Sequence, residues 1–135
     1  MNQLKGSIAE IHSGEGISLV KVKVSNNVVC TSLVLDDSRS ADWLTIGKSV
    51  NIYFKEIEVI ISKEPGLNIS IQNRLPCIIQ SLKTGEILTQ ADLMFNETMI
   101  SSIITTNACR QLNLKVDEQV TALIKTNEIN LSPDD

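Results

Sequence analysis

The sequence predicts an all-β protein of two tandem five-stranded barrels, each with one short helix after its third strand. Three observations carry that expectation. The chain of 135 residues repeats itself at an offset of 70 or 71 along its length. Its apolar residues are mostly Ile, Leu and Val, because the only aromatics are Trp43, Tyr53, Phe54 and Phe95, and β-branched side chains favour strands. Its clearest local pattern, Val20-Lys21-Val22-Lys23-Val24, alternates strictly, as a half-buried strand does.

The repeat is read first because it fixes the organisation. Asn2-Gln3-Leu4-Lys5-Gly6 matches Asn73-Arg74-Leu75-Pro76-Cys77 in position, and each leads into an apolar stretch and a Gly-containing turn (13–16 and 83–86). Val50-Asn51-Ile52-Tyr53-Phe54-Lys55 matches Val120-Thr121-Ala122-Leu123-Ile124-Lys125, and a short apolar finish follows each, at 59–61 and 129–131. The Glu-Pro-Gly punctuation at 64–66 marks a linker, so the expected domains are 1–64 and 69–135.

In the first copy, Asn26-Asn27 is a turn between the alternating strand and a strand at 28–35. Asp36 is a candidate N-cap for a short helix over 36–44. Ile46-Gly47-Lys48 leads into the fourth strand, and 59–62 is the fifth. In the second copy the strands are expected at 73–81, 87–95, 98–105, 119–125 and 128–131, with the helix at 106–112. Five short strands with a helix after the third describe an OB-like barrel. A copy of about 65 residues has only a marginal core alone, so the copies are expected to pack together and to pair with other chains.

Composition excludes several functions. A net charge of −4 argues against nucleic acid or an anionic membrane, which need a basic field. It leaves room for a small anion held by a few aimed donors. No apolar run reaches the length of a spanning helix, and residues 1–6 lack the apolar core of an export signal. Cys30, Cys77 and Cys109 are odd in number and widely spaced, a pattern of free thiols in a reducing compartment. A cytoplasmic protein is expected. His12 is the only histidine, with no nucleophile–base pair or metal cluster around it, so catalysis is not expected. Asp36-Asp37 and Asp134-Asp135 read as a helix start and a polar tail.

Several segments resemble the molbindin (Mop/TOBE) domain family. Ser70-Ile71-Gln72-Asn73-Arg74-Leu75 resembles its Ser-x-Arg-Asn-x-Leu opening. Ile104-Thr105-Thr106-Asn107-Ala108, continuing to Leu112-Asn113-Leu114, resembles its Ile/Val-Thr-x-x-Ser and Leu-Gly-Leu elements. Val120-Thr121-Ala122-Leu123-Ile124-Lys125 is close to its Val-x-Ala-Leu-Ile-Lys ending, and Met1–Gly6 is similar to the opening of a first copy. The resemblance implies binding of molybdate or tungstate, with no covalent cofactor and no direct cation ligand, at interfaces between barrels of a homo-oligomer (a dimer or trimer). It implies a role in storage, buffering or sensing. No P-loop pattern is present, and a free-standing protein is expected rather than a transporter tail or the sensor half of a regulator.

A tetrahedral dianion needs a donor on every oxygen. The positions matching the family's ligand motifs are Ser70, Gln72, Asn73, Thr105, Thr106, Lys125, Thr126 and Asn127, with Asn2, Ser38 and Lys55 as weaker counterparts in the first copy. The ordinary reading of each is structural: Thr105 and Asp36 as helix caps, Lys125 as a solvated lysine, Ser70 and Asn73 as linker residues. The chain departs from the family where Gln72 replaces arginine and Ala108 replaces serine. In the first copy Leu35 stands in the place of Thr105, and Glu56, which would repel a dianion, follows Lys55. An oligomerisation or regulatory module, such as the sensor half of a molybdate-responsive regulator or a transporter tail, with weak or lost oxyanion binding is therefore the alternative. A nucleic-acid-binding OB domain would need stacked aromatics and a positive track, and the chain has neither.

Overall fold

In the computed structural model, which describes residues 1–35 and 42–134, the period-2 segments become strands of two five-stranded antiparallel sheets. The first half contributes β1 (Asn2–Gly14), β2 (Ile17–Lys23), β3 (Val29–Leu35), β4 (Ser49–Phe54) and β5 (Ile60–Ser62). The second contributes β6 (Asn73–Thr84), β7 (Leu88–Phe95), β8 (Thr98–Thr105), α1 (Thr106–Leu112), β9 (Gln119–Ile124) and β10 (Asn130–Pro133). The helix expected over 36–44 falls largely outside the described residues, and 42–43 form a turn.

The strand orders are β10-β4-β1-β2-β3 and β5-β9-β6-β7-β8. The sequence pattern assigns each fifth strand to its own half, and the structure corrects that expectation. β5 pairs with β9, and β10 pairs with β4. Three or four residues are too few to choose a partner by local pattern, so the choice falls to tertiary packing. Each sheet is completed by a strand from the opposite half, and its outer strands approach one another, β5 to β8 and β10 to β3, which curls the sheet. A single apolar cluster runs through both halves, from Leu4, Ile8, Val22 and Ile52 to Leu75, Ile79, Leu93 and Ile124.

Matching interactions recur in the two halves. β1 and β6 carry the same register irregularity, after Ile8 and after Ile79. Ile8 exchanges backbone hydrogen bonds with Gly47 and Lys48, and Ile79 with Asp117 and Glu118. The turn needs a left-handed residue: Gly47 has φ +93° and Asp117 has φ 72°, a region that glycine enters freely and aspartate tolerates.

Two buried amides clasp the halves together. Asn73 Oδ1 accepts from the Thr31 N–H at 2.6 Å, and its Nδ2 donates to the Thr31 carbonyl at 2.9 Å. Asn2 holds Ser101 in the same way, both bonds at 2.8 Å. A second pair of bonds supports the seam: Ser32 Oγ donates to the Ile129 carbonyl at 2.8 Å, and Ser102 Oγ to the Val59 carbonyl at 2.7 Å. Removing a buried partner leaves polar groups unsatisfied. The expected cost of Asn73→Ala is about 2 kcal/mol or more of unfolding free energy, read by urea denaturation. A loss under about 0.5 kcal/mol, as at an ordinary surface position, would contradict the clasp.

Candidate functional site

The register of β6 and β9 builds one polar corner. Asn73 pairs with Ile124, so the next residues outward, Gln72 and Lys125, flank the same end of the ladder. A single 3-10 turn, Thr126–Glu128, follows Lys125 and packs against β3 of the other half. Lys125, Gln72 and Asn127 are exposed, and Thr126 is half-buried. Among the described residues the Lys125 ammonium makes no ion pair. A cation, an amide and a hydroxyl thus share one corner, a donor set suited to an oxyanion.

The first half builds the corresponding corner differently. Asn2 pairs with Phe54, which sets Met1 beside Lys55, and the turn Glu56–Glu58 packs against β8. The Met1 ammonium donates to Glu56 Oε2 at 2.6 Å. That hydrogen bond holds the Glu56 carboxyl below the usual carboxylate range. Lys55 is exposed, but an anion already occupies the neighbouring position.

Other sequence candidates are drawn into the fold. Asn73 is fully buried and Asn2 nearly so, with their amides committed to the clasps. Thr105 caps α1, its hydroxyl accepting from the Ala108 N–H at 3.0 Å. Thr106 is buried; its N–H donates to the Ile87 carbonyl, while its hydroxyl bonds the Gly85 carbonyl at 2.8 Å and the Thr89 hydroxyl at 2.9 Å. Ser70 is exposed in the linker, and Ser38 lies outside the described residues.

Thr105 and Lys125 are not brought together within the chain. Thr105 pairs with Leu88 near the Thr84–Thr89 end of the β6–β7 ladder, whereas Lys125 follows the Asn73–Ile124 pair at the opposite end of β6. Two concavities, of about 590 and 460 Å³, are lined by neither residue.

One residue that sequence reasoning passed over borders the corner. Arg74 Nε donates to the Ile71 carbonyl at 3.0 Å, Nη1 to Leu67 at 2.6 Å and Nη2 to Ile69 at 3.0 Å. The only sequence signal was an arginine at an outward position directly after a linker. The linker's other end is fixed by Lys63, which donates to the Leu112 carbonyl at 2.8 Å and meets Glu118 at 2.9 Å. That contact holds the Glu118 carboxyl below its usual range.

The other notable carboxylate is Asp92. Burial alone would raise it, but hydrogen bonds from Gln90, Ser101 and Ser81, with the charge of Lys83, outweigh burial and bring it from 3.8 down to about 2. Ser101 thereby links Asp92 to the Asn2 clasp. Among the described residues, no group of three His, Cys, Asp or Glu side chains could hold a metal ion. No helix there is long and apolar enough to cross a membrane.

Comparison with known proteins agrees with this architecture. Residues 69–131 match the TOBE domain family. No curated protein sequence matches the chain. Among solved structures, the chain is similar to the cytoplasmic molybdate-binding protein ModG, in a PEG-grown form with molybdate bound. The TM-score is 0.91 at 24% identity, covering 98% of this chain and 96% of that one. The fold is shared over essentially the whole length.

The depressed Asp92 makes a pH test. Its folded value lies below its ordinary one, so its contribution to stability is present above about pH 4 and is lost as pH falls through about 2. Denaturation midpoints of the wild type should drop more steeply across that window than those of Asp92→Asn. Parallel curves would show that the carboxylate network contributes nothing.

Proposed function

We propose that the chain is a tandem molbindin, two TOBE-type barrels that bind molybdate or tungstate in the cytoplasm for storage, buffering or sensing. The observation that carries this reading is the corner of Lys125, Gln72 and Thr126. Its lysine and amide are exposed, its threonine is half-buried, and among the described residues no carboxylate pairs with the lysine, in a fold shared with a molybdate-bound protein. The matching clasps and turns of the two halves support a duplication. The match to the TOBE family over 69–131 supports the same identity for the second half.

Binding takes place at interfaces between barrels of a homo-oligomer. Thr105, at the end of β8, and Lys125, just past β9, lie toward opposite ends of the second sheet, so a site using both draws them from two chains. Lys125 supplies the charge, and the Thr126 hydroxyl and Gln72 amide supply neutral donors. Thr105, exposed at the start of α1, faces such a site from a neighbour. The reading is of a binding protein and not an enzyme.

A specific observation favours a second reading, a barrel that assembles but holds no anion. Asn73, Asn2 and Thr106, all candidates for the ligand, spend their polar groups on the fold.

Thermal unfolding with molybdate separates the two readings. Ligand at about 100 times its dissociation constant should add about 2.7 kcal/mol, with a smaller shift in sulfate; an unmoved midpoint supports the assembly module. Lys125→Ala should weaken molybdate binding by roughly tenfold to a hundredfold, the loss of one charge-assisted bond, without unfolding the chain. Undiminished affinity in that variant would remove Lys125 from the site. Light scattering after size exclusion should give a dimer or trimer, and a monomer at micromolar concentration would oppose the interface.

A further inference from the structure

We propose that Arg74 is the positioning residue of the oxyanion corner: its guanidinium gathers the carbonyls of Leu67, Ile69 and Ile71 and so fixes the linker that leads to Gln72 beside Lys125. The inference rests on the functional reading above and adds to it a residue that does not itself meet the ligand.

Arg74 lies between two buried positions of β6, Asn73 and Leu75, and is itself half-buried on the outward side of the strand. Its side chain turns back along the chain instead of entering solvent. All three guanidinium nitrogens donate to main-chain carbonyls three, five and seven residues earlier, at 2.6 to 3.0 Å. A planar fork can serve three acceptors at once in a fixed geometry. The carbonyls it serves alternate along the linker, and the residues between and after them, Asn68, Ser70 and Gln72, are all exposed.

Without that fork, residues 67–72 carry neither helix nor strand to hold them. A segment with few internal bonds samples many conformations, and ordering it on binding weakens affinity. Arg74 sits two positions inward from Gln72, opposite Leu123, so it anchors the linker to the strand that Gln72 leads into.

Positioning and simple charge are separated by comparing Arg74→Lys with Arg74→Ala. Lysine keeps the positive charge but cannot bond three carbonyls in a plane. The probe is sodium molybdate, titrated into full-length wild type and both variants by calorimetry, with hydrogen exchange of residues 67–72 followed in parallel. Both variants should bind about tenfold more weakly or worse, as when an orienting partner of a ligand group is removed. Both should exchange faster in the linker while the exchange of β7 and β8 is unchanged. Wild-type affinity in Arg74→Lys would overturn positioning in favour of charge. Wild-type exchange at 67–72 in both variants would overturn the hold on the linker. If Arg74→Ala fails to fold, Arg74→Lys alone decides. A wild type that binds no molybdate removes the functional reading and the positioning role with it, and hydrogen exchange still reports separately whether Arg74 holds the linker.

Discussion

Two buried amides, Asn2 on the Ser101 peptide and Asn73 on the Thr31 peptide, each donating once and accepting once, tie each half of the molecule to the third strand of the other. A buried amide is tolerated only when its donor and acceptor are both met, and here each is met only by the opposite half. The short strands β5 and β10 cross the same seam, and the apolar cluster runs through it. The halves therefore hold one another in register. The turns after β4 and β9 are carried onto β8 and β3, which places Lys55 and Lys125 where the halves meet.

On this near-symmetric frame the chain places unequal chemistry. The corner by Lys125 has Gln72 and Thr126; the corner by Lys55 has the Met1 ammonium closed onto Glu56. A similar difference occurs at the strand irregularities. Lys21 faces Glu10 at 3.3 Å in the first half, and in the second Asp92 accepts from Ser81 at 2.8 Å. The backbone of both halves is preserved while the charge at several matched positions differs. Fold alone does not determine what a site does, and in this molecule the difference between the corners resides in three or four side chains.

The all-β class was legible because inward and outward residues alternate, as in β2, where Val20 and Val22 are buried and Lys21 and Lys23 are not. The exchange of β5 and β10 was not legible. A three-residue run such as Ile60-Ile61-Ser62 carries no local information about which strand it joins. The polar candidates were legible as polar and no further. Asn73 reads equally well as a ligand donor and as a clasp, and only the position of Thr31, 42 residues away, separates the two. Thr105 was read both as a cap and as a donor, and its cap bond is present. Arg74 went unread because its partners are backbone carbonyls, which sequence does not mark.

The most direct test of the interface site is where the metal atom lies when the protein is crystallised with molybdate and the anomalous signal of molybdenum is mapped. The expected result is a peak within hydrogen-bond distance of the Lys125 ammonium, at a contact between chains, with Thr105 of a neighbouring copy on its far side. A peak inside one chain away from Lys125, or no ordered molybdenum in crystals grown with the anion in excess, would contradict the site.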